Sequence, residues 1–168
     1  LYRRKWEENF GPTDFSFDRG DVHYVCINNC FFHRGMSYYS PGELRERQMK
    51  WLKQNLALTS KDKKVVLCYH IPFTFGNAPF SKAKPLTNAN EEGHYSSSRL
   101  SLLLSLLKPF KGGYELFCGH THFACNHEIN YEGEDVMEHC HAAACGNIWQ
   151  SNINICGTPN GYYVYSFV

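Results

Sequence analysis

The spacing of apolar residues changes period along the first part of the chain. Apolar and polar residues alternate in TDFSFDRGDVHYVCINN, residues 13–29, and this predicts a β-hairpin with its turn at the Asp-Arg-Gly-Asp sequence. Apolar residues then recur at near-helical spacing in SPGELRERQMKWLKQNL, residues 40–56, which predicts an amphipathic helix. Ser40 as N-cap, Pro41 at the first position and Glu43 as capping-box residue are predicted to begin it.

The rest of the chain alternates short apolar strands with a helix. We expect strands in KKVVLCYH, residues 63–70, and in YELFCGH, residues 114–120, and the first is typical of a strand buried on both faces. Residues 71–95, rich in Pro, Gly and Asn, are predicted to form a long loop, and residues 96–108 a second helix. The tail after residue 135 is expected to form further β structure, ending in the aromatic-rich strand GYYVYSFV. This order of strands and helices predicts an α/β fold.

Length and charge narrow the function classes. The chain has 168 residues and a formal net charge of +1, and this balance indicates no nucleic-acid partner. Its longest apolar stretch, LSLLLSLL at residues 100–107, is too short to span a bilayer, so no membrane span is expected. The first residues show no signal-peptide pattern.

Three histidines stand where the predicted strands end. His70 ends one strand, and His120 and His122 follow the other with one residue between them. In extended backbone the last two side chains project to the same side. The carboxyl ends of neighbouring strands are where sites form in open α/β sheets, and three neutral imidazoles suit a divalent transition metal. The alternative is that these are half-buried histidines hydrogen-bonded to backbone carbonyls.

Further polar residues are predicted to contact a substrate. His94 lies in the long loop, and Asn126 and His127 come shortly after the paired histidines. The alternative for His94 is an exposed loop position. Cys140 and His141 form a further candidate metal pair near the end of the chain.

Several blocks of the sequence resemble the calcineurin-like metallophosphoesterases. They are CGHTH at 118–122, YHIPF at 69–73, and FGPTDFSFDRGDVHYVCINN followed by QMKWL, and they occur in the order and spacing of that family. The tail GTPNGYYVYSF is similar to that of a bacterial, secreted-type branch, which implies a periplasmic or exterior location rather than a cytoplasmic one.

The resemblance implies a four-layer αββα sandwich with a two-metal site. It implies that His70 and His120 ligate one metal and His122 the other, the metals being divalent transition ions such as Zn, Mn or Fe. Two such ions activate water for in-line attack on phosphorus and hold the phosphoryl oxygens. The implied activity is phosphoester hydrolysis.

Other motifs of the family do not occur before the Gly-Pro block, and the only Gly-Asp pair of the chain, Gly20-Asp21, lies in the predicted hairpin. The family has an Asp-x-His, a Gly-Asp and a Gly-Asn-His motif before the Gly-Pro block, and residues 1–10 contain none of them. The resemblance therefore implies that residues 1–130 are the C-terminal half of the domain, lacking its N-terminal strands and catalytic histidine. Residues 131–168 would be a C-terminal β segment that completes or extends the sheet.

Exposed sheet edges would then favour association. The expected partners are a phosphoester substrate and either a complementary N-terminal fragment or a second copy of the chain. Two alternatives stand beside the enzyme: an inactive remnant that binds one metal or none, and an association module.

Overall fold

The computed structural model describes residues 2–30, 42–74, 99–122, 124–145, 153–154 and 157–167. In these ranges the chain forms a six-stranded mixed sheet and three helices. The predicted α/β fold is confirmed, and the four-layer sandwich remains a prediction. None of the helices in these ranges is long and apolar enough to cross a membrane.

The parallel part of the sheet gathers four strand ends at one edge. The elements in chain order are α1 Tyr2–Phe10, β1 Phe15–Arg19, β2 Val22–Cys26, α2 Glu46–Leu58, β3 Lys64–Cys68, α3 Leu100–Leu107, β4 Tyr114–Cys118, β5 Cys125–Tyr131 and β6 Glu134–Cys140. The strand order is β1-β2-β3-β4-β6-β5. Strands β2, β3, β4 and β6 are mutually parallel, whereas β1 and β5 run antiparallel to their neighbours. The carboxyl ends of β2, β3, β4 and β6 therefore lie at the same edge.

One face of the sheet forms the hydrophobic core with α2 and α3. Leu52 of α2 and Leu104 of α3 are fully buried in one cluster with Leu67 of β3 and Leu116 of β4. Leu67 and Leu116 are directly paired in the parallel register. Because side chains alternate along a strand, the next residue, Phe117, projects from the opposite face.

That opposite face carries pairs of aromatic rings in contact. The rings of Phe17 and Tyr24 lie 5.0 Å apart, and those of Phe117 and Tyr165 lie 4.4 Å apart. Tyr165 belongs to the tail that was predicted to be the last strand, and this prediction is wrong, because residues 161–167 form no strand. The tail packs on the sheet through side-chain rings instead of joining its hydrogen-bond ladder.

The predicted start of α2 is also wrong. Glu43 precedes the helix, which begins at Glu46 with Arg45 as its N-cap. The Arg45 amide donates to Oε1 of Gln48 at 2.9 Å, while Nε2 of Gln48 donates to Asp14 at 2.8 Å. Gln48 thus completes the cap, and its side chain is held in place by Asp14, which directly precedes β1. The other predicted start residues, which lie outside the described ranges, are Ser40 and Pro41.

Of the two strands of the β5–β6 hairpin, only β6 lies in the region where β structure was predicted, and no strand was predicted at β5. Its register pairs Tyr131 with Glu134. The two turn residues, Glu132 and Gly133, have φ angles of 52° and 84°, as type I′ hairpin turns require. The boundary expected between residues 130 and 131 falls inside this hairpin.

Candidate functional site

The ends of β3 and β4 bring His70 and His120 together. Nδ1 of His120 lies 3.1 Å from Nε2 of His70, and the ring centroids are 4.9 Å apart. The two chain segments stay paired beyond the ladder, because Tyr69 donates its N–H to the carbonyl of Phe117, and Gly119 donates to that of His70, both at 3.0 Å. The predicted meeting of these two histidines at one sheet edge is therefore observed.

The backbone that carries His120 and His122 was predicted to be extended, and this prediction is wrong. Strand β4 ends at Cys118, and the chain then turns, since the Thr121 amide donates to the carbonyl of Gly119 at 2.8 Å. Both histidines take left-handed backbone conformations, with φ of 69° and 62°. Such conformations cost about 1–3 kcal/mol each and cluster at functional sites.

Cys140, the last residue of strand β6, stabilises this turn. The Cys140 thiol donates to the carbonyl of Gly119 at 3.0 Å and lies 3.2 Å from the hydroxyl of Thr121. His141 points to the opposite face, where its Nε2 lies 2.7 Å from the hydroxyl of Tyr165. Cys140 and His141 therefore project to different faces, which does not suit the candidate metal pair.

Asn29, which the sequence analysis did not select, fixes the backbone of His70. This fully buried side chain follows β2, and its Oδ1 accepts the amides of His70 at 3.1 Å and Ile71 at 3.0 Å. Its Nδ2 donates to the carbonyl of Ile71 at 2.7 Å. One amide group thus satisfies three backbone groups at the end of β3.

A second buried polar residue, Glu138 of β6, holds the chain just after His70. Its carboxylate accepts the hydroxyl of Tyr69 and the amide of Phe73, both at 2.6 Å, and the amide of Thr74 at 3.1 Å. The Thr74 hydroxyl also donates to it. Burial and the nearby carboxylate raise the pKa of Tyr69 well above its usual value, so that its hydroxyl remains a donor.

Burial and repulsion from neighbouring imidazoles lower the pKa values of His70 and His120. Burial lowers the pKa of His70, and the neighbouring charges of His120 and His122 lower it further. Burial, followed by the charge of His122, likewise lowers the pKa of His120. At neutral pH both rings are therefore in the unprotonated form that binds a metal.

The spacing of His70 and His120 fits two ligands of one ion. Nitrogens at about 2.0–2.1 Å from a zinc ion lie roughly 2.9–3.4 Å apart when the angle at the metal is between octahedral and tetrahedral values. The observed 3.1 Å falls in that range, although it also suits an N–H···N hydrogen bond between the rings. Over the described residues, no group of three or more His, Cys, Asp or Glu side chains is arranged to hold an ion. The fit to a metal thus rests on two imidazoles.

The position of His127 argues against its predicted contact with a substrate. The residue is fully buried on the helix-covered face of β5, and its Nε2 lies 3.2 Å from the sulfur of Cys125. A side chain enclosed by the core offers no surface to a ligand. His94 lies outside the described residues.

Asn126, the other predicted substrate residue, lies beside an open pocket of about 330 Å³. Its Oδ1 is 2.7 Å from Nδ1 of His139. The rings of His141, Tyr163 and Tyr165 also line the pocket. Its first lining residue in the sequence is Ala124, two positions after His122. Asn126 is therefore the one described substrate candidate that faces a cavity.

No protein-family model matches this chain, and no curated protein matches it.

Proposed function

We propose that this chain supplies the histidine ligands of a metal-dependent phosphoester hydrolase of the calcineurin-like type. The observation that carries the proposal is the pair of neutral imidazoles, 3.1 Å apart, at the adjoining ends of β3 and β4. The strained turn supports it, because the chain holds His120 and His122 in left-handed backbone conformations, which cluster at functional sites. By resemblance, His122 would ligate a second ion.

The chemistry of the proposed reaction divides between the ion and the chain. A divalent ion such as Zn, Mn or Fe supplies Lewis-acid activation of water and of the phosphoryl group. His70 and His120 would hold it through unprotonated ring nitrogens. The pocket lined by Asn126 would receive the leaving group of the phosphoester.

Hydrolysis of p-nitrophenyl phosphate and bis(p-nitrophenyl) phosphate tests this proposal. The chain, freed of metal by a chelator, should be inactive and should gain activity on addition of Zn²⁺, Mn²⁺ or Fe²⁺. His120→Ala should lower the rate by more than about 100-fold, because losing a residue that merely supports a ligand already costs about 10–100-fold. Lys53→Ala, on the exposed side of α2, is the control and should keep the full rate.

The same assay separates the enzyme from the inactive-remnant alternative. Metal binding without hydrolysis by the wild-type chain would favour the remnant. Equal rates for the chelated and metal-loaded chains, or for wild type and His120→Ala, would contradict a metal-dependent hydrolase carried by these histidines.

A second candidate function, self-association, is favoured by exposed aromatic side chains around β1. Trp6 and Phe10 of α1 are 52% and 72% exposed, and Phe15 and Phe17 of β1 are 42% and 48% exposed. Trp6 and Phe15 line a groove of about 460 Å³, and β1 is an edge of the described sheet. Large exposed apolar surfaces and open strand edges mark interaction sites. We propose that a second copy of the chain covers this surface.

Sedimentation equilibrium tests this association. The average mass should rise towards that of a dimer with increasing concentration, and the double variant Phe10→Lys/Phe17→Lys should weaken dimerisation at least about tenfold. Leu58→Lys, a 90% exposed residue at the end of α2, is the control and should leave association unchanged. A wild-type chain that stays monomeric would contradict it, and a complementary chain that co-purifies would identify the other expected partner.

A further inference from the structure

Two buried polar side chains meet the segment that carries His70, which comprises residues 69–74 and is called here the His70 segment. We propose that Asn29 and Glu138 are positioning residues that fix His70 for metal binding. The inference rests on the proposed role of His70 as a ligand. It assigns a function to two residues that neither touch the metal position nor belong to the histidine motifs.

Asn29 leaves the backbone of His70 little freedom. The amide of His70 donates to Oδ1 of Asn29, and its carbonyl accepts from Gly119, so both backbone polar groups have hydrogen-bond partners. The side chain of Asn29 is itself held in one orientation, because Nδ2 donates to the carbonyl of Ile71 at 2.7 Å and to that of Gly42 at 3.4 Å. A flipped amide would place a nitrogen against two N–H donors, and the observed network therefore admits one arrangement.

Glu138 contacts both ends of the His70 segment. Its carboxylate is fully buried, and the hydrogen bonds that it accepts come from Tyr69, Phe73 and Thr74. A buried carboxylate is costly unless several donors surround it, so the residues on both sides of His70 must stay in place. Glu138 approaches from β6 and Asn29 from the end of β2, and the segment is held from two directions.

The positioning role has a distinct consequence for the ring of His70. The 3.1 Å spacing between His70 and His120 depends on where the His70 backbone lies, because a ring rotates about a fixed Cα. Residues that orient metal ligands are worth about 10–100-fold in metal affinity when they are replaced. Loss of Asn29 should act through His70 and through no other ligand.

Nuclear magnetic resonance of the metal-free chain tests the first step, independently of any metal. In Asn29→Ala the imidazole signals of His70 and His120 should shift or broaden, while those of His139 should not. Asn130→Ala is the matched control, since this asparagine makes an exposed hydrogen bond with Asp135 in the hairpin. Unchanged His70 signals in Asn29→Ala would overturn the proposal.

Co²⁺ binding tests the second step through a double-mutant cycle. Asn29→Ala should weaken Co²⁺ binding about 10–100-fold, and Asn29→Asp, which keeps the acceptor oxygens, should restore part of the loss. Glu138→Gln should weaken binding less than Asn29→Ala, because the glutamine oxygen still accepts part of the network. In a His70→Ala background, Asn29→Ala should cause no further loss.

The outcomes of the cycle are distinguishable. Equal losses in the wild-type and His70→Ala backgrounds would show a general structural role for Asn29 and overturn the proposal. A wild-type chain that binds no Co²⁺ would refute the proposed function instead. In that case the resonance measurement still decides whether Asn29 positions the ring of His70.

Discussion

Replacement of His70 or His120 by alanine is expected to weaken binding of Co²⁺ to the chain by more than about 100-fold. Each substitution removes one of two nitrogens that lie 3.1 Å apart, and the single imidazole that remains binds a divalent ion much more weakly than the pair does. The estimate exceeds the about 10–100-fold cost of disturbing a residue that only orients a ligand. Equilibrium dialysis followed by elemental analysis gives both affinity and stoichiometry.

His139→Gln is the control for this prediction. His139 lies on β6, where its ring nitrogens face Asn126 and Glu115, so the variant should bind Co²⁺ as wild type does. If His139→Gln lost as much affinity as His70→Ala, the assignment of the ligands would be wrong. Protons provide a second check, because they compete with the metal for each ring. The pKa values of His70 and His120 are lowered, so affinity should be level at neutral pH and fall only as the pH drops through those lowered values.

Leu104→Ala is expected to lower the free energy of unfolding by about 2–5 kcal/mol. Leu104 is fully buried in α3, where it belongs to the cluster that joins both helices to β3 and β4. The truncated side chain would leave a cavity that the closely packed core fills only partly. Urea denaturation, followed by far-ultraviolet circular dichroism, measures the change from the shift in the transition midpoint.

Leu102→Ala separates this core effect from any effect on the helix itself. Leu102 lies on the same helix and is 52% exposed, so the same substitution should change stability by less than about 0.5 kcal/mol. Equal losses in the two variants would contradict the placement of α3 on the sheet. An unaffected Leu104→Ala would contradict it as well.

Much of the fold was predictable because local apolar patterns indicate where its strands lie. Strand β3 reads VVL at consecutive buried positions, and the hairpin of β1 and β2 follows from alternation around a glycine turn. The placement of His70 and His120 at one edge needed only two strand ends and the rule that parallel strands end together. Local sequence sufficed for these features.

The features that were missed depend on contacts between distant parts of the chain. The start of α2 is set by Gln48, whose side chain reaches Asp14, and no local cap signal predicts that pairing. The turn of His120 is supported by the thiol of Cys140, which comes from another strand. Asn29 gave no signal at all in its sequence neighbourhood.

Glu138 did leave a trace that could have been used. It alternates with Val136 and Cys140, both buried, so that the strand pattern places a carboxylate on the core face. A charged residue at such a position needs several partners, and its position in β6 therefore indicates a structured polar network nearby. The hydrogen-bond donors of the His70 segment are that network.

X-ray absorption spectroscopy of the Zn²⁺-loaded chain tests the central claim most directly, because it reports which atoms surround the metal. The account predicts nitrogen neighbours at about 2.0–2.1 Å, with the scattering pattern of at least two imidazole rings, and loss of that pattern in the double variant His70→Ala/His120→Ala. Zinc surrounded only by oxygen, or by sulfur at about 2.3 Å, would contradict the account. So would an imidazole pattern that persists unchanged in the double variant.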